Sequence, residues 1–72
     1  MKNKVIAYVD DNAECQVCNG SLFAYDTFYD GSTRPAGQWA WMCRACWQGY
    51  GRGVGLGVGQ EYDSKTREKI RG

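Results

Sequence analysis

A chain of 72 residues is one small domain, with too little interior to be stable by apolar burial alone. Nine basic and eight acidic residues give a formal net charge of +1, well short of a basic nucleic-acid-binding domain, and the absence of histidine removes imidazole ligands and a histidine general base. No stretch approaches the roughly 20 apolar residues that cross a bilayer, and the apolar part of the N-terminal segment is too short for a secretory signal, so a cytoplasmic location with reduced thiols and no membrane partner is expected.

Residues 4–9 are predicted as a first strand, carried by Val5, Ile6, Tyr8 and Val9 and ended by Asp10-Asp11-Asn12. Cys15-Gln16-Val17-Cys18-Asn19-Gly20 reads as a tight turn. Residues 21–29 alternate as a strand, with Phe23, Tyr25, Thr27 and Tyr29 on one face and Leu22, Ala24, Asp26 and Phe28 on the other. Residues 30–37 are a loop by composition. Residues 38–42 form the next strand, Trp39 and Trp41 to one side and Ala40 and Met42 to the other, and the two strands pair as a hairpin. Residues 43–50 form a short helix, because Cys43, Cys46, Trp47 and Tyr50 share one helical face; Gly49 and Gly51 stop it. Residues 63–72 are a polar tail, either a short helix capped by Asp63 or Ser64 or a disordered end, which leaves residues 1–62 as the metal-binding domain.

The only cysteines are Cys15, Cys18, Cys43 and Cys46, two Cys-x-x-Cys pairs with 24 residues between them. Four thiolates at about 2.3 Å suit one tetrahedral Zn²⁺ in a closed, structural site, the staple that so small a domain needs. Disulfides fit a reducing compartment poorly. A rubredoxin-like iron site is the sharper rival, but Cys18 lacks a glycine immediately after it, and a thioredoxin-type redox site lacks its βαβ context. Zinc loading takes the formal charge from +1 to −1. Arg44, between the second pair, either offsets part of that charge or is an exposed helix residue. The expected fold is a small metal-stapled α+β domain, a treble-clef-like zinc finger of β-hairpin plus short helix, with a zinc ribbon as the alternative.

From Gly49 to Gly59 every second residue is glycine. No phosphate-binding signature follows, since neither Gly-Lys-Ser/Thr nor G-x-G-x-x-G is present. Period two places Val54, Leu56 and Val58 on one face of an extended segment and bare backbone on the other, where another backbone or an aromatic ring can lie flat. A strap over the core is therefore expected, with a flexible ligand loop as the alternative.

Asp30-Gly31, Thr33, Gly37, Trp39-Ala40, Met42-Cys43-x-x-Cys46, Tyr50-Gly51, Gly55-Leu56-Gly57-Val58-Gly59-Gln60 and Tyr62 together resemble a family of small four-cysteine zinc-finger proteins of tailed bacteriophages. The resemblance implies a phage product acting in the bacterial cytoplasm and says little of its target. Residues 43–50 are also similar to the end of GATA-type fingers, where a cysteine pair opens a helix. This chain departs from them in lacking a basic helix continuation past Gly49 and Gly51.

Two functions compete. Residues 33–72 carry seven Lys/Arg against three Asp/Glu, so Arg34, Arg44, Arg52, Lys65, Arg67, Lys69 and Arg71 are candidates for binding DNA or RNA beside exposed aromatics such as Trp39 and Tyr50. The near-neutral total and the high share of Trp and Tyr equally suit a module that docks on a host protein. An enzyme is not expected, nor a small-molecule substrate; Asp10, Asp11 and Glu14 read as a turn and a solvated face.

Overall fold

Aromatic and β-branched residues between the cysteine pairs pair into a sheet, and the second cysteine pair starts the helix. In the computed structural model, which describes residues 5–34, 37–55 and 57–72, the elements are β1 (Thr27–Ser32), β2 (Trp39–Cys43), α1 (Arg44–Tyr50), β3 (Gly59–Asp63) and β4 (Lys69–Arg71). Among the described residues they form one antiparallel sheet of order β2-β1-β3-β4 with one short helix. The hairpin expectation holds: β1 pairs with β2 in a register that sets Phe28 against Cys43 and Asp30 against Trp41.

Directly paired residues share a sheet face. Phe28, Trp41 and Tyr62 therefore lie together, and their rings meet at centroid distances of 5.3 to 5.8 Å. The segment before β1 covers this face. Leu22 is fully buried there, Phe23 meets Phe28 edge-on, and Ala7 closes the cluster. Helix α1 covers the other face through Trp47, whose ring stacks on Tyr29 at 4.1 Å.

Five sequence expectations about the fold are corrected. Residues 5–9 form no strand, and Lys4 lies outside the described residues. Val5, Ile6 and Tyr8 are exposed, and Ile6 makes only an isolated bridge to Glu68. Alternation over residues 21–29 breaks because Leu22 and Phe23 both turn into the core, so the strand starts at Thr27. It then runs through Asp30-Gly31-Ser32, assigned to a loop by composition, because β2 and β3 pair with it on both sides and outweigh turn propensity. Pro35 and Ala36 of that expected loop lie outside the described residues.

The glycine run is not an extended strap. Gly53, Gly55 and Gly57 have positive φ, Gly55 bridges to Gly59, and the chain turns there into β3. Leu56 of the expected apolar face lies outside the described residues. Close approach does occur at the ends of the run. A Cβ on Gly59 would come within 2.6 Å of the Gly53 carbonyl oxygen, and Gly51 lies against the Trp47 ring with no room for a side chain.

Residues 63–72 are neither a helix nor a frayed end. Asp63 Oδ1 accepts the amides of Lys65 and Thr66, turns the chain, and returns it as β4 beside β3. Among the described residues no helix is long and apolar enough to cross a membrane.

Candidate metal centre

Cys15 and Cys18 sit in a turn closed by Cys15 N–H donating to Gly20 O at 2.7 Å and Asn19 N–H to Cys15 O at 2.8 Å. Gln16 docks this turn on β2. Its amide donates to Trp41 O at 2.9 Å, and its side-chain Oε1 accepts from Trp41 N–H at 2.7 Å. Cys43 ends β2 and serves as N-cap of α1, and Cys46 lies in the first turn of that helix. The docking thus carries the first pair to the second.

The four sulfurs lie within 4.8 Å of one another, and Cys18 Sγ to Cys43 Sγ is 3.9 Å. A tetrahedron with metal–sulfur bonds of about 2.3 Å has sulfur–sulfur edges of about 3.8 Å, so the cluster fits one tetrahedral ion. Cys15 is fully buried and Cys43 nearly so; Cys46 is intermediate and Cys18 exposed. The cluster can hold a metal ion through four thiolates, with one corner open to solvent.

Backbone amides point at the sulfurs. Val17 N–H donates to Cys15 Sγ and Gly20 N–H to Cys18 Sγ, each at 3.4 Å. The sequence argument from the missing glycine after Cys18 is therefore corrected: Asn19 takes the left-handed φ of 64° itself, which asparagine tolerates, and Gly20 delivers the amide. Burial disfavours a charge on Cys15, but amides of Cys43, Cys18 and Val17 outweigh it and lower its thiol to about 7. Burial raises the Cys43 and Cys46 thiols; hydrogen bonding and repulsion from Cys15 add to the effect, while hydrogen bonds from Cys46 offset part of it at Cys43. With the Cys15 thiol lowered and those of Cys43 and Cys46 raised, a divalent cation is what would let the sulfurs ionise together.

The basic candidates do not act as one surface. Arg67 is half-buried, lies 3.8 Å over the Phe23 ring and pairs with Asp11 at 3.2 Å. Arg71 donates through Nε to Glu61 Oε1 at 2.5 Å. Both work inside the fold. Lys69 Nζ donates to Gly72 O, and Lys65 is exposed on the turn between β3 and β4. Arg44 is exposed at the start of α1. Arg34 and Arg52 are exposed at the far end of the β1–β2 hairpin, where Arg34 Nη2 meets Gly49 O at 3.5 Å and Arg52 Nε meets Thr33 O at 3.4 Å.

Sequence reasoning missed Gln16 and Asn19, which shape and dock the first cysteine turn. Asn-Gly after a Cys-x-x-Cys was the visible signal. It also missed the chain from Thr27 Oγ1 to Tyr29 OH to Glu61 Oε2, the second bond 2.6 Å long, because no local pattern joins residues 32 positions apart.

Searches against family models, curated proteins and solved structures give no match, so the site is read from its own geometry.

Proposed function

We propose that this chain is a zinc-stapled, treble-clef-like module that binds nucleic acid as a small bacteriophage regulator in the host cytoplasm. The observation that carries the proposal is the convergence of four sulfurs within 4.8 Å under backbone amides, a closed donor set whose role is structural. Support for the treble-clef form comes from the order of parts: a turn with Cys15 and Cys18, the β1–β2 hairpin, then a helix that opens on Cys43 and carries Cys46. A zinc ribbon would carry the second pair on a turn between strands. No catalytic role is assigned to any residue.

The nucleic-acid reading is supported by Arg34, Arg44 and Arg52, exposed residues in the basic half of the chain, and by the half-exposed rings of Trp39 and Tyr50. The competing reading, docking on a host protein, gains from the internal use of Arg67 and Arg71, which lowers the charge left for phosphates. A tryptophan-fluorescence titration of zinc-loaded protein with DNA and RNA, at low and physiological salt, separates them. Saturable quenching that weakens with salt is expected; no response at either salt favours the protein partner.

A further inference from the structure

Away from the sulfur cluster, a groove of about 330 Å³ runs between the first cysteine turn, the open end of the hairpin and the end of α1. Trp39 from β2 and Tyr50 from α1 line it with about half of each residue exposed, at 48% and 51%, and Val17, 38% exposed, adds an apolar edge. Arg34 is its charged residue, and Gln16 and Gln38 add amides. None of the described residues lining it is acidic. Asp30 on β1, paired with Trp41, is the carboxylate nearest in the strand pairing, and it is not among the residues lining the groove. A second groove, of about 500 Å³, differs in kind: Asp26 and Asp63 on its walls outnumber the lining cation Lys65 and oppose a polyanion.

From this contrast we infer that the Trp39–Tyr50 groove receives an unpaired base of a single-stranded nucleic acid, with Arg34 on the adjoining phosphate. The inference rests on the nucleic-acid reading above and names its site and the form of nucleic acid taken. Flat aromatic rings stack on any base, and a guanidinium tracks the backbone without reading sequence. Groove amides can meet the edge of an unstacked base, whereas a duplex keeps its bases stacked and out of reach. The short α1, stopped at Gly51 with no basic continuation, offers no reading helix for a major groove. Arg52, whose Nε meets Thr33 O beside Arg34, extends the positive end of the groove.

The test uses zinc-loaded full-length protein and short mixed-sequence strands of DNA and of RNA, each alone and as duplex, followed by tryptophan quenching and by competition. Single strands are expected to bind about tenfold or more tightly than duplexes. Trp39→Ala and Tyr50→Ala are each expected to weaken single-strand binding about tenfold, and Arg34→Gln to reduce the salt slope by about 0.7. Tyr25→Ala removes an exposed ring from the second groove and leaves binding unchanged. Circular dichroism verifies that each variant is folded; Tyr50 and Arg34, both exposed, carry the test if Trp39→Ala unfolds. The DNA and RNA arms tell which sugar is preferred. Binding that survives the groove variants, or duplexes that compete equally, overturns the groove and leaves the nucleic-acid reading intact. No binding of any strand by the wild-type protein overturns that reading, and the groove with it.

Discussion

Gly31 and Gly59 face each other across β1 and β3, and the two backbones approach so closely that a Cβ on Gly31 would lie 2.8 Å from Gly59 Cα and from Val58 O. Both contacts are with backbone, so neither can swing aside. Gly31→Ala is expected to destabilise the protein by about 2 kcal/mol, a fall of ~10 °C in Tm. Gly49 differs. It lies inside α1, and an added Cβ meets nothing within 4 Å. Gly49→Ala is expected to stabilise by about 0.5–1 kcal/mol and raise Tm by ~5 °C, since alanine loses less backbone entropy in a helix. Thermal melts of the two variants check both signs. The sequence announced that glycine mattered between 49 and 59, and close packing at Gly51 and Gly59 was legible as bare backbone. It did not distinguish glycines kept for space from Gly53 and Gly57, kept for positive φ, because period two describes both alike.

At the level of elements, β4 has three exposed residues and a register shift against β3, so pairing alone holds it weakly. Glu61 supplies the rest. Its side chain is nearly buried, accepts from Tyr29 OH at 2.6 Å and is paired with Arg71 of β4. Burial disfavours the carboxylate, but the bonds from Arg71 and Tyr29 outweigh it and hold the group below its ordinary value of 4.5. A depressed folded-state value means that the contribution is complete above pH 4.5 and is lost as pH falls through the lower folded value. Glu61→Gln is therefore expected to melt below wild type at neutral pH, with the gap narrowing as pH drops under about 4.5. A melting series from neutral to acid pH checks this; a gap constant across the series contradicts it. The hairpin and α1 were legible because local periodicity wrote them. β4 was not, because Lys69-Ile70-Arg71 becomes a strand only by meeting Glu61 and Tyr62, and polar composition alone reads as a tail. The strand expected in residues 4–9 failed over the described residues 5–9 for the converse reason, good β formers without a full partner edge.

At the scale of the molecule, the buried apolar residues among those described are few: Leu22, Phe28, Met42, Tyr29, Tyr62 and Ala7, with Cys15 and Cys43 beside them. Two of these eight belong to the sulfur cluster, which ties the first turn to the junction of β2 and α1. The ligand set was the most legible feature of the sequence, since spacing alone named Cys15, Cys18, Cys43 and Cys46, and the structure brings those four together. The basic set was the least legible. A count of charges cannot tell Arg67, stacked on Phe23, from Arg34, exposed at a groove.

The central claim is that metal and fold are one equilibrium, and a Zn²⁺ titration of chelator-stripped, reduced protein tests it most directly, with circular dichroism and elemental analysis read together. One zinc per chain, bound as the secondary structure forms cooperatively, is the expected result, and Cys43→Ser should neither bind tightly nor fold. A stripped protein that melts as the loaded one does, or a Cys43→Ser variant that folds without metal, contradicts the account.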